Sequence, residues 1–184
     1  MSHPLELPPP TRHVVVMGVS GSGKTTVAHL VARDTGMLFA EADDFHPRAN
    51  VEKMRAGTPL DDEDRWPWLR DLAGWMRERA DEGRSTVITC SALKRSYRDV
   101  LADAPPSLDF VHLDGPREVI HERMQHRHHD YMPDSLLDSQ IDALEPLQPD
   151  ESGIVLDLAL APDVLATEVI ERLDLPVHDH VTEV

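Results

Sequence analysis

Cysteine occurs once in this 184-residue chain, at Cys90, which excludes an intramolecular disulfide and agrees with a reducing compartment. Cys90 closes the apolar run Thr86-Val-Ile-Thr-Cys90 and reads as a buried strand thiol rather than a nucleophile. No apolar run approaches the roughly 18 residues of a membrane span, and the first residues lack a basic segment followed by an apolar one. The expectation is a cytoplasmic protein without a membrane partner. Positive charge is also scarce. Against 34 Asp and Glu stand 18 Lys and Arg, a formal net charge of −16, which repels polyanions at long range and argues against nucleic acid as a partner. A small anionic substrate remains compatible, because a few clustered cations reverse the potential inside a cleft. Internal repeats and low-complexity blocks are missing too, so the length points to a single domain with a proper core. We expect that domain over residues 13–174. Residues 1–12, with a proline run, and 175–184, without a sustained period, read as loose tails.

What is present starts with Gly18-Val-Ser-Gly-Ser-Gly-Lys24-Thr25, which fits the phosphate-loop pattern G-x-x-x-x-G-K-[ST]. The β-branched run His13–Met17 precedes it, and Val27, Ala28, Leu30 and Val31 follow at the spacing of one helix face. Strand, loop and helix therefore stand in the order that phosphate binding requires. Gly18, Gly21 and Gly23 let backbone N–H groups turn inward around a polyphosphate, and the helix N-terminus adds partial positive charge. Lys24 would reach the β- and γ-phosphates, and the Thr25 hydroxyl would ligate Mg²⁺.

Four more short apolar runs, Met37–Ala40, Thr86–Cys90, Leu108–Leu113 and Ile154–Leu158, alternate with helical patterns. The helix candidates are Pro47–Ala56, Asp64–Asp81, Lys94–Ala102, Pro116–Arg127, Pro133–Leu144 and Pro162–Leu173. This alternation predicts an α/β fold of the P-loop NTPase kind, a five-stranded parallel sheet covered by helices on both faces. Ligands in such sheets collect at the carboxyl ends of the strands, which places Asp43, Asp44, Ser91, Asp114 and Pro162 on the expected rim. Residues 43–82 read as a helical substrate lobe inserted after the second strand. Residues 123–133, rich in Arg and His, read as a mobile lid.

Asp43 is placed to orient or deprotonate an acceptor hydroxyl and could also serve the metal through water; a helix cap is the plainer alternative for either acid of the Asp43-Asp44 pair. His126, His128 and His129 lack the spacing and acid or Cys partners of a zinc site. Arg123 and Arg127, four apart, share a helix face and can point toward phosphates together. The tryptophans Trp66, Trp68 and Trp75 fit core packing around an amphipathic helix, and Asp61 to Asp64 favour a helix N-terminus.

The runs GVSGSGKTTVA, EADDFHPRANVEKMRAGTPLDDEDRWPWL, CSALKRSYRDVL and RMQHRHHDYMPDSLLDSQIDALE together closely resemble the gluconokinases of the shikimate-kinase-like P-loop group, over roughly residues 14–169. The resemblance implies ATP-dependent phosphorylation of D-gluconate to 6-phospho-D-gluconate, feeding sugar-acid catabolism and the pentose phosphate route. ATP and Mg²⁺ would be the cofactors and a homodimer the assembly. It assigns nucleotide binding to Gly18, Val19, Ser20, Gly21, Ser22, Gly23, Lys24, Thr25 and Thr26, with Pro162 in the loop that cradles adenine. Asp43 would contact the acceptor hydroxyl, while Arg48, Arg65, Ser91, Lys94 and Arg98 would bind gluconate. Arg123 and Arg127 would neutralise the transferring phosphoryl group from the lid. Ala42, where family members usually carry Gly, would add a methyl near the acceptor site.

Overall fold

Val14 and Val16 of the first strand pack on one side of a sheet and Val15 and Met17 on the other, and all four are fully buried. That two-sided burial is what an uninterrupted β-branched run requires of a central parallel strand. In the computed structural model, which describes residues 10–125 and 134–178, this strand, β1 (His13–Met17), lies between β3 (Thr86–Thr89) and β4 (Leu108–Asp114). The edges are β2 (Leu38–Glu41) and β5 (Gly153–Asp157), giving the order β2-β3-β1-β4-β5 with every pairing parallel. Val14 pairs with Val87 and Asp109, which brings the carboxyl ends of β1, β2 and β3 to one edge of the molecule.

Helices α1 (Lys24–Thr35) and α7 (Pro162–Arg172) cover one face through Val27, Val31, Leu165 and Val169. The other face carries α3 (Asp62–Asp81) and α4 (Arg95–Ala102), packed through Trp68, Leu72, Met76 and Leu101. Shorter helices, α2 (Arg48–Arg55), α5 (Arg117–Gln125) and α6 (Asp134–Ala143), surround the carboxyl edge. The start of α3 lies earlier than the apolar period suggests because Asp61 and Asp64 form a capping box: the Asp64 amide donates to Asp61 Oδ1 at 2.9 Å and the Asp61 amide to Asp64 Oδ2 at 3.0 Å.

Both expected tail boundaries need correction. Arg12, placed in the N-terminal tail, is tied down by Asp109 at 3.1 Å and the Leu173 carbonyl at 2.8 Å. At the other end Leu175 is buried and the His178 amide donates to the Asp34 carbonyl at 2.8 Å, so residues 175–178 continue along α1. Residues 126–133, most of the expected lid, and with them Arg127 and the three-histidine cluster, lie outside the described residues.

Candidate active site

The loop leaves β1 and passes straight into α1, whose first residue is Lys24. Glycine is required at two of its turns. Gly18 has φ 144° and Gly21 φ 79°, and a Cβ would meet the Leu113 carbonyl oxygen at 2.9 Å in the first case and Met124 Cγ at 2.8 Å in the second. No side chain caps α1, which leaves its first amides available to an anion. Lys24 Nζ donates to the Val19 carbonyl at 3.0 Å, arching over the loop it belongs to. Thr25 Oγ1 donates to Glu41 Oε1 at 2.7 Å, while Glu41 Oε2 is buried with no hydrogen-bond partner among the described residues. The Ser20 amide donates to Gln140 Oε1 at 2.7 Å, joining α6 to the loop. Val19 and Ser22 are buried, and Thr26 sits exposed in the first turn of α1.

Facing this loop is an open cleft of about 600 Å³, lined by Ser20, Gly21, Gly23, Lys24 and Thr25 from one side. Glu41, Asp43 and His46 come from the end of β2, Thr89 to Ser91 from the end of β3, and Arg55, Arg65 and Trp68 from the helical lobe. That volume suits a small-molecule site. Asp43 lies in a 3-10 turn over Ala42–Phe45 with its carboxylate 83% exposed, whereas Asp44 does not line the cleft. Ser91 borders the cleft and its carbonyl accepts the Gly18 amide at 3.4 Å. Arg65 enters with its Nε donating to the Leu60 carbonyl at 3.3 Å and its guanidinium over the Tyr97 ring.

Three expected gluconate-binding cations are placed elsewhere, and each has a physical reason. Arg48 opens α2 with its side chain 92% exposed and paired with Glu52 at 2.8 Å. Arg55, seven residues and about 10 Å further along that helix, is the one that lines the cleft. Lys94 is held by Asp62 at 2.9 Å and lies over the Tyr97 ring, and its partner Asp62 is drawn below the usual carboxylate range by hydrogen bonds from Tyr97 and Lys94. Arg98 is fully buried. Its guanidinium pairs twice with Glu151, at 2.5 and 3.0 Å, and donates to the carbonyls of Ala92, Leu93, Glu145 and Pro146. Ala92 has φ 44°, a left-handed conformation uncommon for alanine, so Arg98 holds the turn behind Ser91 instead of touching the cleft.

Arg123 stands at the end of α5 with Nη2 donating to the Leu158 carbonyl at 2.6 Å and Nη1 near the space above Gly23. It thus links the phosphate loop to the segment after β5, where Pro162 begins α7. Ala42 corrects another expectation: it is buried among Met17, Trp68 and Ile88 and its carbonyl accepts from Trp68 Nε1 at 2.7 Å. The added methyl faces the core, not the acceptor side. Trp68 is core-packed as expected, and it also forms part of the cleft wall. Cys90 borders the cleft, but burial pushes its thiol up to about 12, so it stays protonated.

Glu41, His46, Arg55 and Gln140 were not identified as site residues from the sequence. A signal existed for Glu41, an acid ending an apolar strand beside the loop, since β2 runs one residue beyond the apolar stretch. His46 lies in the run His46-Pro-Arg-Ala-Asn50, and nothing in that run distinguishes its buried ring from the exposed Arg48.

Comparison with known proteins agrees with this geometry. The AAA domain family matches residues 14–147. A gluconokinase of Gluconobacter oxydans is 47% identical over 161 residues, covering 88% of this chain and 90% of the relative. Among solved structures, a sugar kinase from Janibacter is 64% identical with a TM-score of 0.87, covering 90% of this chain and 96% of that one. A gluconokinase from Sinorhizobium meliloti is 42% identical with a TM-score of 0.80 over 90% and 92% of the two chains. With the loop, the strand-end carboxylates and the arginine-bearing lobe all opening on one cleft, the chain belongs to the gluconokinase family of P-loop kinases.

Proposed function

We propose that this protein transfers the γ-phosphoryl group of ATP to the terminal hydroxyl of D-gluconate, giving ADP and 6-phospho-D-gluconate. The observation that carries the reading is the cleft itself, which sets a phosphate loop on one wall against Asp43 and Arg65 on the other. The loop amides hold the phosphates, and Lys24 exchanges the Val19 carbonyl for phosphate oxygens. Asp43 accepts the hydrogen bond of the acceptor hydroxyl and takes its proton as the new O–P bond forms and the bond to the ADP oxygen breaks. Arg65, with Arg55 beside it, provides the fork that matches the gluconate carboxylate. Arg123 adds charge on the nucleotide side.

The buried, unpartnered Oε2 of Glu41 next to the Thr25 hydroxyl fits a divalent cation. Thr25 and Glu41 would hold Mg²⁺, with Asp43 within reach through water. The ion, when bound, neutralises phosphate charge. A homodimer, the state expected from the family resemblance, working in the cytoplasm completes the reading.

The test is a coupled ADP-release assay across gluconate, ketogluconates, shikimate, glucose and glycerate, with Lys24→Ala as the control. Gluconate should give the highest kcat/KM and Lys24→Ala a folded protein without turnover. A different preferred acceptor, or activity in that variant, overturns the proposal.

A further inference from the structure

His46 is a titratable group at the cleft to which no role has yet been given. Its side chain is 3% exposed and stacks on Trp68, with ring centroids 4.1 Å apart and planes 17° from parallel. Trp68 is itself anchored by its bond to the Ala42 carbonyl, so the imidazole rests on a fixed surface. Two neighbours then define what each ring nitrogen does. Asn50 Nδ2 donates to the Asp64 carbonyl at 2.8 Å, and a carbonyl only accepts, which settles the orientation of the amide. The same NH₂ lies 3.4 Å from His46 Nδ1. Nδ1 must therefore accept, and the ring proton sits on Nε2. Nε2 is the atom that faces Asp43, 3.9 Å from Oδ1.

We propose that His46 is the positioning residue for Asp43: its Nε2–H holds one carboxylate oxygen, so that the other is presented to the acceptor hydroxyl. This rests on the reading of Asp43 as the acceptor-side carboxylate. The gap is about 1 Å beyond a normal N–H···O bond, which on this proposal the Asp43 carboxylate closes when substrate binds. A carboxylate that can spin offers its two oxygens in many directions; one held at Oδ1 by a stacked ring offers a single lone-pair direction, which is what an in-line transfer needs. The ring has to be neutral for this, because an imidazolium would draw basicity from Asp43. Acceptance at Nδ1 from the Asn50 amide leaves it so.

Steady-state kinetics on substituted full-length protein test the proposal. His46→Phe keeps a ring against Trp68 and lacks the donor. It should lower kcat at least roughly tenfold, with the KM of gluconate and of ATP within about threefold and the thermal midpoint preserved. His46→Gln, whose amide nitrogen reaches the Nε2 position, should recover most of that loss. His46→Asn, which reaches only as far as Nδ1, should not. In an Asp43→Asn background, His46→Phe should cost little more, since both act through one carboxylate. An unchanged kcat in folded His46→Phe, an equal loss with and without Asp43, or no difference between Gln and Asn overturns the assignment. Should His46→Phe not fold, the comparison of Gln with Asn decides alone. If Asp43→Asn leaves kcat intact, the acceptor-side reading fails and takes this one with it; loss in Asp43→Asn with none in His46→Phe defeats this one only.

Discussion

Replacing Arg98 separates a structural cation from a substrate-binding one. Sequence motifs place it among the gluconate contacts, yet its guanidinium spends all of its donors on Glu151 and four carbonyls, and both members of the pair are shielded, at 0% and 4% exposure. Burial, the largest single influence, raises the Glu151 carboxyl; the hydrogen bonds from Arg98 and from the Gln148 amide, with the charges of Arg98 and Arg95, together outweigh it and hold the group below its usual range. Arg98→Met would leave that carboxylate buried with only Arg95, 3.9 Å away, as a cation, a loss of about 3–5 kcal/mol for removing one partner of a buried pair. For a chain of this size the corresponding fall in Tm is roughly 6–20 °C. Such a loss stays within ordinary domain stability, about 5–15 kcal/mol, so the variant should still fold near 25 °C. Adding Glu151→Gln should return only part of the loss, because the carbonyls of Ala92, Leu93, Glu145 and Pro146 remain without a donor. Urea unfolding of the three proteins, with gluconate KM measured under native conditions, gives the answer. A stability loss under about 1 kcal/mol together with a large rise in gluconate KM would refute the structural assignment and return Arg98 to the binding site.

Three further outcomes are expected. Arg65→Ala should raise the gluconate KM at least roughly tenfold, in line with loss of a charge-assisted pair, whereas Arg48→Ala should leave it unchanged; equal effects in initial-rate assays would contradict the geometry of the cleft. Glu41→Gln should raise the Mg²⁺ concentration for half-maximal nucleotide binding by about 10- to 100-fold, which calorimetry of ATP with and without the metal can check, an unaltered Mg²⁺ dependence excluding Glu41 from the ion's shell. His13, fully buried against Thr86 and pushed by burial from 6.5 down to about 4, is protonated first in the unfolded chain. Its contribution is therefore complete above pH 6.5 and fades as pH falls toward 4, by about 1.4 kcal/mol per unit; His13→Asn should flatten the pH slope of stability by that amount in this window, and identical slopes would show that the folded imidazole takes up its proton just as the unfolded one does.

How legible the molecule is from its sequence depends on the range of the interaction concerned. The β-branched run ahead of the loop, the Gly-rich turn and the apolar face of α1 are local patterns, and each element formed where its pattern lies. The Glu41 carboxylate escaped because it sits at the junction where a strand pattern ends, and its meaning comes from Thr25, sixteen residues back, through the crossing of α1. Arg48, Lys94 and Arg98 are a different case: chemistry suited to a carboxylate is present in all three, and only folding shows which is already engaged.

The acid excess explains why. With 34 acidic against 18 basic side chains, most cations find a carboxylate within the protein: Arg12 takes Asp109, Lys53 takes Asp61 and Asp64, Lys94 takes Asp62, Arg95 takes Asp99 and Asp150, and Arg98 takes Glu151. Several of these partners are 32 to 97 residues apart, beyond anything periodicity or a motif can reveal. Arg65, by contrast, has no carboxylate within ion-pair distance among the described residues; it is held by a backbone carbonyl and an aromatic face. Those contacts orient a guanidinium without neutralising it. In a chain this acidic, a cation kept in place and kept unneutralised at a cleft has its charge left for an anionic ligand, and that criterion, more than membership of a basic motif, is why Arg65 is the one proposed for the gluconate carboxylate.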